Sequence, residues 1–542
     1  MLNSRKRWSA GVAAALLAGA VALAGCSTPA DTERAGDEPV PGGTLKFVVS
    51  ADANGFDPQN DTFSGQTNTM ARTILEPLTI LDAEGNWQPY LAESVEPNDD
   101  ATEWTIVLRG GINFSNGDVL DADVVAKNLE GHRTKPVNAG TLADIESITV
   151  AGERTVVVSM ARPWATFPMY LTTQIGLVVP EESLENPDEA SANPIGTGPF
   201  LFGKHLRDSS LTVEKNPDYW RADEGLPYLD GIEFRIIPDD EARGLALESG
   251  NVAGISTRDA KDVAKFKDDA DYIVTRTTGM AVPESVYVLN TAQGALQDES
   301  VRRALAAATD RQTIIDVVRE GLTEPASGPW SEDSPWYVES DYPDFDLEAA
   351  QSAIAEYEAA HGQIELTLMT LADASALQTA QLVQDMWKKA GVDLTIDQLD
   401  QGTLIDRLIK GNYDISSMVE FSAPDPDMER LLFHGATLAP IGEISPNITR
   451  IDEELINDGF DRGRASIDEA ERKDAYAQVQ RRLGEIVPII WIDHLSTASI
   501  ITSASVGGVG QYELPSGQME YGPYGNPSPA LNFHAVWIVD QE

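Results

Sequence analysis

Residues 364–396 read IELTLMTLADASALQTAQLVQDMWKKAGVDLTI, and this stretch decides the fold. Ile364, Leu366 and Leu368 alternate with polar residues, the period of a strand with one buried face. Leu382, Val383, Met386, Trp387 and Ala390 then recur at helical spacing along one face, which predicts Trp387 in the core. Gly391 stands where a helix ends in the left-handed conformation. Val392, Leu394 and Ile396 alternate once more. Strand, helix and strand at these lengths make a βαβ unit with a right-handed crossover. Tyr413-Asp414-Ile415 is the next predicted strand, and the loop Glu420 to Asp427 follows it. Ligands in open α/β sheets gather outside the carboxyl ends of strands, so this loop is the first place to look for a site.

Working outward, Asp310 caps a helix carrying Ile314, Ile315 and Val318, with Gly321 at its end, and Leu347 to Ala360 forms another helix. Nearer the amino terminus, Thr44 to Val49 reads as a strand and Met70 to Leu75 has helical spacing. Trp104, Ile106 and Leu108 alternate as a half-buried strand, and Asp121 caps a helix with Val124, Val125 and Leu129. Ile148/Val150 and Val156/Val158 flank a turn at Gly152 and predict a hairpin. These β-rich segments read as one inserted unit. Gly196-Thr197-Gly198-Pro199-Phe200 lacks the Lys-Ser/Thr of a phosphate loop, and predicts a place where two backbones cross.

The amino terminus states where the body resides. Arg5-Lys6-Arg7 precede a charge-free run from Ala10 to Ala24, too short to span a bilayer comfortably and ending in small residues. Leu23-Ala24-Gly25 lead into Cys26, the single cysteine of the chain. This resembles a bacterial lipoprotein signal, an ordinary secretory signal being the alternative. Residues 1–25 would be cleaved, Cys26 would carry the lipid, and residues 26–41 would be a disordered acidic tether. The expected location is extracytoplasmic, lipid-anchored to the outer face of the cell membrane.

Composition narrows the function. The chain has 542 residues, 42% of them hydrophobic, which is ample for a core, and a net charge of −48. Such a chain does not seek nucleic acid or anionic lipid by charge, and one cysteine allows no internal disulfide. The six histidines show no metal-ligand spacing, and no G-x-S-x-G elbow is present. Neither a catalytic centre, nor a metal, nor a cofactor is expected, and a secreted hydrolase is only a distant alternative.

A set of short motifs then occurs in a telling order: Leu75-Glu76-Pro77-Leu78, Pro89-Tyr90-Leu91-Ala92-Glu93-Ser94, Trp104–Arg109, Phe114-Ser115-Asn116-Gly117 and Ala122-Asp123-Val124-Val125. Gly196–Phe200, Asn216-Pro217-Asp218-Tyr219-Trp220, Val301-Arg302-Arg303-Ala304-Leu305 and Asp310-Arg311 continue it. Together they resemble the extracellular solute-binding proteins of family 5, the peptide- and nickel-binding components of ABC importers, over nearly the whole mature chain. The resemblance implies an α/β fold of the periplasmic-binding-protein-like type II. Residues 42–76, 180–290 and 496–542 would form lobe I, 77–179 a β-rich subdomain on it, and 291–495 lobe II. Solute would lie in a cleft between lobes that swing about hinges near Asn290 and Leu495.

The resemblance also implies a site. In peptide-binding relatives an aspartate in the loop after the strand matching Tyr413–Met418 meets the solute's α-ammonium. Ser422 falls at that place here, while Val419 and Gln401 fall where aromatic residues often stand. Glu420, Asp425 or Asp427 could supply the missing charge. Thr62-Phe63-Ser64 matches an extended edge along bound peptide. Trp491 matches an aromatic on the second hinge strand, to stack on solute or to pack in the core, and Trp330 and Trp336 could form a rim. The implied function is capture of di- or oligopeptides, or else of a metal chelate, oligosaccharide or other small molecule. Delivery would be to a permease and ATPase, by a chain expected to act as a monomer.

Overall fold

The computed structural model describes residues 36, 38–135, 140–276, 282–421, 423–495, 499–520 and 531–539; the expected signal segment, residues 1–25, and Cys26 lie outside them. Strand β1 (Thr44–Val49) alternates exposed and buried positions before running fully into the core, as its Leu45, Phe47 and Val49 demand. Helix α1 spans Gly65–Ala71, earlier than the expected Met70–Leu75, because Ser64 supplies the cap by accepting from the Thr67 amide. Strands β2 (Ala92–Pro97) and β3 (Glu103–Leu108), helix α2 (Ala122–Thr134), and strands β4 (Ile145–Gly152) and β5 (Thr155–Met160) build a four-stranded sheet of order β2-β3-β5-β4 with a helix. Asp121 caps α2 and the Gly152 hairpin pairs β4 with β5, both as expected.

The chain returns through β6 (Phe200–Leu206), β7 (Ser210–Lys215), β8 (Gly231–Ile236), β9 (Gly254–Thr257) and β10 (Tyr272–Arg276). At Gly196 a Cβ would meet the Ile74 carbonyl oxygen at 2.1 Å, and the Gly198 amide donates to that oxygen. Two backbones do cross there, and no phosphate cradle is needed to explain the glycines.

Strand β11 (Pro283–Leu289) opens the second sheet, ahead of the boundary expected at Asn290. Helix α3 (Arg311–Val318) starts at Asp310, and β12 (Glu324–Pro325) follows. Strand β13 (Glu365–Leu371), helix α4 (Ala374–Ala390) and strand β14 (Asp393–Leu399) are the predicted βαβ unit, with Gly391 left-handed at φ 108°. Helix α5 (Gln401–Ile409), strand β15 (Ile415–Phe421), helices α6 (Glu454–Ala465) and α7 (Glu469–Ile486), and strand β16 (Ile489–His494) complete this body. Strand β17 (Ser499–Ser503) then rejoins the first sheet.

The first sheet has the order β10-β17-β9-β1-β8-β7-β6 and the second β12-β16-β11-β15-β13-β14. The chain therefore passes between the two sheets twice, from β10 to β11 and from β16 to β17. Each sheet has its own apolar core, and Phe533 near the carboxyl terminus packs edge-on against Phe47 and Phe234 in the first. Among the described residues no helix is long and apolar enough to cross a membrane.

Candidate functional site

Strands β13, β14 and β15 run parallel, so their carboxyl ends share one edge of the second sheet. β15 and β14 flank β13 on opposite sides, the arrangement that opens a crevice at such an edge. Val419, half-buried, lies near the end of β15 opposite Ser285 of β11. Gln401 is exposed and opens α5 just beyond β14, after the cap Asp400. These two expected site residues thus share the edge. The backbone of Glu420 pairs with Glu284 on β11, and Ser422 lies outside the described residues.

The edge carries polar groups that sequence reading did not single out. Arg319, at the end of α3, donates from Nε to Asp493 at 3.0 Å, from Nη1 to Ser375 at 3.2 Å and from Nη2 to Ser285 at 3.4 Å. Thr323 donates to the same Asp493 oxygen at 2.8 Å, and Ser417 bonds Thr370 at 3.0 Å. Asp493 is fully buried and sits on β16, far from Arg319 in sequence, so no local pattern marks this pair. At the carboxyl end of β16, burial pushes the His494 pKa down to about 4, which leaves a neutral imidazole 3.3 Å from the Glu284 carboxylate at neutral pH.

The loop after β15 is held rather than open. Asp425 is 5% exposed and takes Arg472 Nη2 on both oxygens, at 2.5 and 2.7 Å. Arg472 lies 5.0 Å from the Trp336 ring centroid, and the Trp336 indole donates to the Pro424 carbonyl at 2.9 Å. Burial favours a neutral guanidine, but Asp425 and Tyr476 together outweigh it and raise the Arg472 pKa. Asp427 has no exposure and accepts from Arg464, Thr166, Tyr170 and Trp164. Both carboxylates are paired with arginines of the same body, an arrangement that would hold the loop in shape rather than leave either free for a solute ammonium.

The remaining expected residues separate. Thr62 and Ser64 are exposed before α1, whereas Phe63 packs into the first core. Trp491 has no exposed surface and packs edge-on against Tyr342 at 5.5 Å within the second core. Among the described residues its indole N–H has no hydrogen-bond partner. Trp330 is 1% exposed and packs on Tyr476, which removes it from any rim; a Trp among apolar neighbours is drawn inward by its large hydrocarbon area. Trp387 is buried as expected, donating to Thr309 at 3.0 Å. Among the described residues no group of His, Cys, Asp and Glu could hold a metal ion.

Comparison with known proteins accords with this architecture. The sequence profile of the bacterial extracellular solute-binding proteins, family 5 (Middle), matches residues 86–437. The chain is 26% identical to Di/tripeptide-binding protein 2 of Pseudomonas aeruginosa (strain UCBPP-PA14) over 484 residues, covering 83% of this chain and 89% of that one. It is 25% identical to the oligopeptide-binding protein AppA of Bacillus subtilis (strain 168) over 436 residues, 74% of this chain and 78% of the relative. Among solved structures, AgaA of A. tumefaciens R10 in complex with agropinic acid superposes with a TM-score of 0.80 at 26% identity, covering 92% of this chain and 99% of AgaA. AppA of B. subtilis in complex with a nonapeptide shares the fold, with a TM-score of 0.78 at 20% identity over 93% of this chain and 100% of AppA.

Proposed function

This chain belongs to the bacterial extracellular solute-binding proteins of family 5, binding proteins of transport rather than enzymes, and we propose that it is the lipid-anchored receptor of an ABC importer. It captures di- or oligopeptides between two hinged lobes and delivers them to a membrane permease driven by a separate ATPase. The observation that carries this reading is the double passage of the chain between two separately cored sheets, with crossings at β10–β11 and β16–β17. Two adjacent strand crossings give a hinge about which the bodies swing without breaking either core. Lobe I comprises residues 42–76, 180 to the end of β10, and 496–542; 77–179 form the subdomain and 282–495 the second lobe. The cleft lies between the exposed Thr62/Ser64 edge and the carboxyl edge bearing Gln401, Val419 and Arg319. Cys26 carries the lipid.

Peptide is the first reading of the solute because the relatives named above include di/tripeptide- and oligopeptide-binding proteins. A second reading, a non-peptide solute without a free α-ammonium, is favoured by the pairing of Asp425 and Asp427 with arginines and by the agropinic acid bound to AgaA.

Mass spectrometry of small molecules released by denaturing natively purified protein tests this directly. The expected result is a stoichiometric peptide fraction; a single non-peptide solute would move the reading to the second class. Absence of any released solute, with no thermal shift across peptide and opine panels, would overturn it. Replacing Cys26 with Ser is expected to abolish membrane retention.

A further inference from the structure

The apolar core of the inserted unit is a separate cluster from that of the second lobe, and Met428 is the second-lobe side chain that packs against it. Residues of the insertion pack together with Tyr219, Tyr512 and Leu514, whereas the second lobe's core is a separate cluster between Val286 and Ile492. Among the described residues, the hydrogen bonds and ion pairs that join the insertion to the second lobe converge on Asp427 and Arg464. Asp427 accepts from Thr166 Oγ1 at 2.5 Å, from the Tyr170 hydroxyl at 3.1 Å and from the Trp164 indole at 3.2 Å. Arg464 donates to Asp144 at 2.8 Å and to Tyr170 at 3.2 Å, and its guanidinium lies 4.1 Å from the Trp164 ring centroid. The Ala165 amide also donates to the Arg464 carbonyl at 2.7 Å.

Each carboxylate of this joint has a cation on its own side. Arg464 Nε donates to both Asp427 oxygens, at 3.0 and 3.1 Å, entirely within the second lobe. Asp144 has a second arginine inside the insertion, Arg162, at 2.6 and 3.0 Å. If the bodies part, both carboxylates keep a cation and the hydroxyls of Thr166 and Tyr170 take up water. Parting this seam exposes the hydrocarbon that Met428 shares with Leu81 and Met169, and for the rest exchanges hydrogen bonds for comparable ones to water. Burial disfavours charge on Arg464, but Asp427, Tyr170 and Asp144 outweigh it, so the cation persists when the joint is shut.

We propose that Asp427 and Arg464 are the tongue of a closure latch whose receiving face is Asp144, Trp164, Thr166 and Tyr170 of the insertion. The insertion is then a working jaw of the cleft. Asp427 shares one turn with Asp425, so seating the latch also positions the loop at the end of β15. The proposal rests on the two-lobe reading above.

Hydrogen exchange read by mass spectrometry on the full mature chain, with no solute added, tests it in wild type and in the double variant T166V/Y170F. Those substitutions remove donors used only in the shut state and leave the Asp427–Arg464 pair intact. In wild type the Ala165 amide is expected to exchange at least about tenfold faster than the β3–β5 strand amides, because it opens locally. The double variant should raise Ala165 exchange by roughly another tenfold with the strand amides unchanged. Ala165 protected as strongly as the strands in wild type would identify a permanent joint and overturn the latch. So would a variant that leaves Ala165 unchanged or accelerates both sites alike. Since no solute is involved, this outcome is independent of which solute the protein carries.

Discussion

Arg472 Nη2 lies 2.5 and 2.7 Å from the two carboxylate oxygens of Asp425, and both residues are largely buried. That geometry makes Asp425 a fastener of the loop. Arg472→Ala would leave a desolvated carboxylate without its cation, so a loss of about 3–5 kcal/mol in urea unfolding is expected. Asp425→Asn should lower affinity for a free peptide and its N-acetylated form equally. A selective loss for the free peptide would return Asp425 to the role of ammonium partner.

Trp491 is the next case. Its ring packs on Tyr342 with no exposed surface. Trp491→Ala should cost about 3–5 kcal/mol of folding stability, the range for emptying a buried aromatic site. Calorimetric unfolding together with solute titration decides the matter: an affinity loss without a stability loss would place the ring on solute.

Glu76 joins the first lobe to the insertion. Its carboxylate, 1% exposed, accepts from Tyr90 at 2.9 Å, Tyr219 at 2.8 Å, Trp220 at 2.9 Å and Thr197 at 2.8 Å. Glu76→Ala would strand these buried donors, each at about 1–3 kcal/mol, so destabilisation above about 4 kcal/mol is expected. A shift in the unfolding midpoint no larger than that of an exposed carboxylate such as Glu130 would show that the network contributes little.

His132 on α2 has no exposed surface, and burial pushes its pKa down to about 4. The unfolded chain binds a proton there near pH ~6.5, so stability from this group is fully present above that pH. It is lost as pH falls through ~6.5 toward 4, by up to about 3 kcal/mol. His132→Asn should therefore lie further below wild type at pH 7 than at pH 4.5 in urea midpoints. Parallel curves for the two proteins would refute the assignment.

Much of the fold was legible because its signals are local. The alternation at Ile364–Leu368, the apolar helical face ending at Gly391, and the caps Asp121 and Asp310 each depend on residues within a turn or two. The order of short motifs from Glu76 to Arg311 identified the family for the same reason, since each motif is contiguous. The first helix lies earlier than the apolar spacing at Met70–Leu75 suggests because the cap at Ser64 sets its start, and beyond Ala71 the chain continues only in turns, such as Ile74 to the Ala71 carbonyl.

What the chain alone could not settle is which carboxylates and indoles are free. Asp425, Asp427 and Trp491 are ordinary candidates in sequence, and their roles depend on Arg472, Arg464, Tyr170 and Tyr342, which only folding brings near. A carboxylate's availability is set by desolvation and by which donor reaches it first, and both follow from packing between segments remote in sequence. Sequence periodicity thus determined the sheets and helices, while the closing together of distant surfaces decided what each polar group was left to do.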